Sequence, residues 1–134
     1  MPEGHTIHRL AIDLTKAFAN ANVRVSSPQG RFTSTDLLDG SAFTAAHAIG
    51  KHLFLDFEGG RVHIHLGLFG KFKRQANLTD ATRSSIRLRI ETATTRWDLT
   101  GPTACELIDA DAYAALGARL GADPLSPLPR PART

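Results

Sequence analysis

Short stretches in which apolar and polar residues alternate, each closed by turn residues, restrict the fold of this chain more than any other feature. Leu53, Leu55 and Phe57 alternate with His52, Phe54 and Asp56, and the run stops at Glu58-Gly59-Gly60. Val62, Ile64, Leu66 and Leu68 then alternate with His63, His65, Gly67 and Phe69. Ile86, Leu88 and Ile90 alternate with Arg87, Arg89 and Glu91. A period of two places each apolar set on one face of an extended strand. Further strands are expected at Val23–Val25, Phe43–Ile49 and Arg96–Thr100, with turns at Ser27-Pro28-Gln29-Gly30, Gly50-Lys51 and Gly101-Pro102. Several short strands with regular turn chemistry predict a β-sandwich or barrel.

Two segments break that period. Ile7, Leu10, Ala11, Leu14 and Phe18 recur at helical spacing, and Pro2 sits just ahead of them, where its missing N–H costs nothing. This predicts a helix of about four turns ending near Asn20. Asp109–Leu120 is rich in Ala and Leu and predicts a second helix. Beyond Gly121, Pro124, Pro127, Pro129 and Pro131 crowd a short tail, so the expected organisation is one domain over 1–121 and a Pro-rich linker over 122–134.

With 134 residues the chain suffices for one well-cored domain. Cys105 is its only cysteine, which excludes an internal disulfide and a four-cysteine zinc site and fits a reducing cytoplasm. No apolar run is long enough for a membrane span, and the first residues lack the pattern of a signal peptide. A net charge of +3 permits a polyanionic partner without requiring one.

The chemistry-bearing residues fall into four groups. Removal of Met1, usual before a small residue, would leave Pro2 as a free secondary amine. An α-amino group titrates near about 8, against about 10.4 for lysine, and the positive end of a helix lowers it further. Such an amine can attack a sugar carbon and hold the resulting iminium as an electron sink, with Glu3 placed to exchange protons. Pro2 and Glu3 read alone are an ordinary helix start. Lys51, at the expected hairpin tip, suits a phosphate, or is a solvated turn lysine. His63 and His65 share one strand face, where His65 could bind a phosphate or simply point outward. The loop that follows offers Leu68 and Phe69 as wedges of the kind a base-flipping protein needs. Finally Lys71, Lys73, Arg74, Arg83, Arg87 and Arg89, with Arg31 upstream, would suit a phosphate-lined groove, although Arg87 and Arg89 read equally as the solvated face of an edge strand. His5, His8, His63 and His65 could form a metal site only if the first helix meets that strand, a minor alternative.

Taken in order, Met-Pro-Glu-Gly, Gly-Lys-His-Leu, His-Leu-Gly-Leu-Phe-Gly and Gly-Ala-Asp-Pro-Leu resemble the formamidopyrimidine-DNA glycosylase/endonuclease VIII family over residues 2–125. The opening Pro-Glu-Gly leans toward the endonuclease VIII branch, and Pro-Glu-Gly-His-Thr looks most like its second actinobacterial type. The resemblance implies a mainly β (α+β) fold: an antiparallel β-sandwich with an N-terminal helix and a C-terminal flanking helix. It implies a base-excision-repair glycosylase and abasic-site lyase. Pro2 is then the Schiff-base nucleophile, Glu3 the acid/base and Lys51 the hairpin lysine of the catalytic set. His65, Leu68, Phe69, Lys71 and Arg31 are the DNA-binding set. The implied substrates are oxidised bases, pyrimidines being that branch's expectation, in double- or single-stranded DNA. No metal or other cofactor is expected in this chain, because the family's zinc finger belongs to a second domain absent here. A nucleoid-associated cytoplasmic monomer is implied. A catalytically silent DNA- or repair-partner-binding module is the alternative. Two departures stand out. Thr6 occupies a position where many members carry a second glutamate, and Gly101-Pro102-Thr103 lacks the arginine and phenylalanine that formamidopyrimidine-type members insert opposite a lesion.

Overall fold

The computed structural model describes residues 4–75 and 85–119, with side chains from Thr6 onward. Pro2, Glu3, Arg83 and the expected linker over 122–134 lie outside the described residues. The elements run α1 (Gly4–Phe18), β1 (Ala21–Asn22), β2 (Arg24–Ser26), α2 (Thr35–Leu38), β3 (Ala42–Ile49), β4 (His52–Phe57), β5 (Gly60–His65), β6 (Lys71–Arg74), β7 (Ile86–Glu91), β8 (Arg96–Thr100), β9 (Ala104–Ile108) and α3 (Ala110–Arg119). Two antiparallel sheets result, one ordered β1-β3-β4-β5-β9 and the other β2-β7-β8-β6. The expected antiparallel sandwich with a helix at each end is therefore what the chain forms.

The alternation sets which faces meet. Phe43, Leu53, Leu55, Val62 and Ile64 of the first sheet share one buried cluster with Val25, Phe72, Leu88, Ile90 and Leu99 of the second. Ile7, Ala11, Leu14 and Phe18, the helical stripe of α1, complete that cluster. The Phe18 and Phe43 rings lie 5.6 Å apart, and Phe43 meets Phe57 edge to face at 5.2 Å. Each of these side chains contributes about 2 kcal/mol from burial.

The opposite face of the first sheet is also covered. Phe54, Tyr113 and Leu116 form a second cluster flanked by Ile49 and Ile108, so α3 packs behind β4. Strand β4 therefore has buried neighbours on both faces: Leu53, Phe54 and Leu55 are all inaccessible to solvent. This overturns the simple reading of the histidines as an outward polar face, because His63 is only 6% exposed.

Three other expectations change. The alternation from Val62 runs on to Phe69, but the strand stops at His65. Gly67 takes φ +69 and the Gly70 amide bonds the Leu66 carbonyl at 3.0 Å, which turns the chain into a tight loop. Strand β9 had no alternating signal of its own, since Ala104, Cys105, Leu107 and Ile108 are all partly buried. The arginines of β7 are not the solvated face of an edge strand. The strand lies between β2 and β8, and Arg89 is 6% exposed, with Nε 2.8 Å and Nη2 3.1 Å from the Asp98 carboxylate. Among the described residues no helix is long and apolar enough to cross a membrane.

Candidate nucleic-acid interface

Helix α1 runs antiparallel to β3. The Ala46 amide donates to Thr15 Oγ1 at 2.9 Å, and Phe18 lies against Phe43 at the start of the strand. The first turn of α1 therefore points toward the end of β3, where Gly50, at φ +59, makes the hairpin tip with Lys51. Thr6, in that first turn, lines a groove of about 730 Å³ together with Arg9, Leu66, Gly70, Lys71 and Trp97. The helix start, the hairpin tip and the loop after β5 thus share one end of the sandwich.

Sheet register adds the histidine. His52 pairs directly with His65 across β4 and β5, so the last residue of β5 stands beside the exposed Lys51. The Leu66–Gly70 loop then presents Leu68 and Phe69 to solvent, 61% and 77% exposed. No other described residues but Ile12 and Leu37 are large, apolar and comparably open. Two glycines make this display possible. A Cβ on Gly67 would fall 1.9 Å from Thr103 Oγ1, and one on Gly70 would fall 2.3 Å from the Leu66 carbonyl oxygen. The loop is braced from behind by the β8–β9 connection, through a 2.8 Å bond from the Thr103 amide to the His65 carbonyl.

The second sheet contributes cations at the same end. Lys71 begins β6 opposite Thr100, and Ile86, opposite the same threonine, begins β7. The Gln29 amide bonds the Ile86 carbonyl at 2.9 Å, and Arg87 Nε donates to Gln29 Oε1 at 2.7 Å. These contacts hold the turn that carries the exposed Arg31. Lys51, His65, Leu68, Phe69, Lys71 and the Arg31 turn are thereby gathered at one end. Pro2 and Glu3 immediately precede the helix start that faces the same end, but are themselves outside the described residues.

Sequence reasoning missed what lies behind His65. His52 Nδ1 is 2.8 Å from His63 Nε2, and the His52 ring stacks on both His63 and His65, with centroids 5.1 and 4.4 Å apart. Burial, with His65, His63 and Arg119 adding to it, lowers the His52 imidazole to about 4. Burial also lowers His63, outweighing the opposite pull of Glu106. A signal for this trio existed. If Glu58-Gly59 is read as a two-residue turn, position 57 pairs with 60, and counting outward brings 52 opposite 65. Cys105 is pushed up to about 12 by burial, so it is no nucleophile. Among the described residues no group of three or more His, Cys, Asp or Glu could hold a metal ion. His8 is exposed on α1, and the His5 side chain lies outside the described ones.

The comparisons with known proteins point one way. Endonuclease 8 1 of Mycobacterium tuberculosis is 50% identical over 131 residues, covering 93% of this chain and 49% of the relative, and the Mycobacterium bovis protein of the same name matches equally. The family expectation holds, although these relatives carry the type 1 name where the opening pentapeptide suggested the second type. A structure of MutM in complex with carbocyclic 8-oxo-G containing DNA aligns with TM-score 0.73 at 17% identity, over 88% of this chain and 48% of that one. The Lactococcus lactis formamidopyrimidine-DNA glycosylase bound non-covalently to DNA with an abasic site aligns with TM-score 0.69 at 18% identity, over 88% and 48%. At such identities these two speak for the fold. The chain spans about half the length of the relatives it matches. Residues 1–106 match the formamidopyrimidine-DNA glycosylase N-terminal domain, and the chain belongs to that family.

Proposed function

We propose that this chain is the nucleophile-bearing half of a base-excision DNA glycosylase and abasic-site lyase. The observation that supports this reading is the convergence, at one end of the sandwich, of the helix start that follows Pro2, the Lys51 tip, His65 and the two exposed wedges. In the proposed reaction the unprotonated Pro2 nitrogen attacks C1′ of the damaged nucleotide. The C1′–base bond breaks, and the base leaves with the bonding electrons and takes up a proton. The Pro2 nitrogen then loses its own proton, the C1′–O4′ bond opens with O4′ taking up a proton, and C1′ becomes part of an iminium. Loss of a C2′ proton then expels the 3′ phosphate, and loss of a C4′ proton can expel the 5′ phosphate. Glu3 exchanges the protons, Lys51 and His65 hold the flanking phosphates, and Leu68 with Phe69 fill the space the extruded base vacates. Lys71 and Arg31 extend the contact to neighbouring phosphates.

The iminium itself is the electron sink, so this half uses no cofactor, and its single cysteine could not build a four-cysteine zinc site. Oxidised pyrimidines in duplex or single-stranded DNA are the proposed substrates, and a monomer the proposed acting form. With few phosphate contacts in this half alone, binding is weak, and affinity falls with salt by a log–log slope of about −0.9 per phosphate neutralised.

The test is borohydride trapping. Protein verified by intact mass to begin at Pro2 is incubated with an abasic-site oligonucleotide at low salt and reduced. The expected result is a covalent adduct that maps to Pro2 and disappears when Met1 is retained, because an amide nitrogen cannot attack. No adduct from folded protein beginning at Pro2 overturns the catalytic reading and leaves a DNA-binding module.

A further inference from the structure

Behind the phosphate-facing end, the outer surface of the first sheet carries a polar column that the proposed reaction does not use. Its members are Glu106 on β9, His63 on β5 and His52 on β4, ending against His65. Glu106 lies directly across from His63 in the β5–β9 register, and its Oε2 is 3.6 Å from His63 Nδ1. That nitrogen is buried and has no hydrogen-bond partner among the described residues. His63 Nε2 is 2.8 Å from His52 Nδ1, and the His52 ring lies 4.4 Å from that of His65 at an interplanar angle of 24°.

We propose that His52 is a positioning residue for His65, its ring stacked against His65 and its own orientation and tautomer set by His63 and Glu106. This rests on the reading of His65 as a phosphate contact. The tautomers follow from donor counting. A carboxylate only accepts, so the Glu106 charge 3.6 Å away favours the tautomer with the hydrogen on His63 Nδ1. A neutral imidazole then has its other nitrogen free to accept, which makes His63 Nε2 the acceptor and His52 Nδ1 the donor. The remaining nitrogen of His52 is left as an acceptor.

Because burial keeps both rings neutral, the column adds no positive charge against His65. A neutral ring at stacking distance can therefore fix the His65 plane. The bond to His63 matters as much as the stack, because it sets the His52 ring about its own axis. The device has the logic of metal-site histidines whose second nitrogen is held by a carboxylate, with a phosphate-binding imidazole at the business end instead of an ion.

The experiment is a double-mutant cycle read by affinity for a duplex containing a tetrahydrofuran abasic-site analogue. His65→Ala weakens binding about tenfold, the worth of one charge-assisted hydrogen bond. His52→Ala weakens binding several-fold in the wild-type background. In the His65→Ala background it changes affinity by less than about twofold, the limit expected when both substitutions remove one interaction. His52→Phe, which keeps the ring but not the bond, falls between wild type and His52→Ala. Glu106→Ala follows the same non-additive pattern and covers the case in which a His52 variant does not fold, since its side chain is 63% exposed. Unchanged affinity in both His52→Ala and Glu106→Ala, or full additivity with His65→Ala, overturns the proposal while leaving His65 as a phosphate contact. A His65→Ala variant with wild-type affinity removes the phosphate role itself, and the proposal with it.

Discussion

His47 and Tyr113 meet edge to face, with Nε2 3.0 Å from the phenol oxygen and ring centroids 5.8 Å apart. Through this contact α3 is fastened to the outer face of the first sheet. Arg61 supports it from the side, its guanidinium carbon 4.0 Å from the Tyr113 ring centre while the same side chain pairs with Asp56. Burial lowers the His47 imidazole to about 4, the nearby Asp56 opposing and Arg61 reinforcing the shift.

Mild acid should therefore loosen the sandwich. An unfolded histidine takes up its proton near about 6.5. His47 and His52 do so in the folded chain only near about 4. Across that window the unfolded state binds more protons, so stability falls as pH falls from about 6.5 to about 4. Thermal melts followed by circular dichroism should show a declining Tm over the window, with a shallower decline for His47→Phe. A Tm that stays level down to pH about 4 contradicts the assignment.

Leu68 and Phe69 are exposed enough that the fold does not depend on them. The double variant Leu68→Ala/Phe69→Ala should keep Tm within the change usual for surface substitutions, about ±0.5 kcal/mol per site. Its affinity for abasic-site duplex should drop by about tenfold or more, given that the wedge replaces lost stacking energy. Comparable losses on abasic and intact duplex would show that the pair is not a wedge.

Gly70→Ala should damage the same function by another route. The added carbon would meet the Leu66 carbonyl oxygen, Cα and carbonyl carbon at 2.3, 2.7 and 2.8 Å, all of them backbone. No rotamer change relieves such a clash, so the loop must open, at about 1–3 kcal/mol. The expected signature is a lowered Tm together with weaker binding than the Leu68→Ala/Phe69→Ala variant. A well-folded Gly70→Ala protein with unchanged affinity would contradict the loop's close packing.

Arg89 and Asp98 form a buried pair on neighbouring central strands. Asp98→Ala should cost about 3–5 kcal/mol, because it leaves a buried guanidinium without its counter-charge. Adding Arg89→Leu to it should recover part of that loss. Denaturant melts of the two single variants and the double variant measure this, and strictly additive losses would show that the two charges are not coupled.

How far residues alone disclose this molecule differs from region to region. β4 and β5 were legible because one face of each packs into the common core, which imposes the period of two on Leu53, Leu55, Val62 and Ile64. β9 was not, because Ala104–Ile108 is partly covered on both faces and alternates on neither. Arg89 misled for a related reason: a charged residue in an alternating strand reads as solvent-facing until its partner, nine positions on, is seen opposite it. For the candidate site, Lys51, Leu68 and Phe69 were legible as turn and loop residues. The column behind His65 was not, because it depends on register across three strands and no short motif encodes it.

The loop bearing Leu68 and Phe69 is also where the chain leaves one sheet for the other, between β5 and β6, and the β8–β9 connection crosses beside it. Two inter-sheet crossings that touch one another act as a clasp. The wedges therefore inherit the stiffness of the whole sandwich, and most of the entropy of fixing their backbone is lost when the protein folds, not when DNA arrives. Lengthening the β8–β9 crossing by flexible residues should accordingly loosen the grip on damaged DNA, with every contact residue still in place.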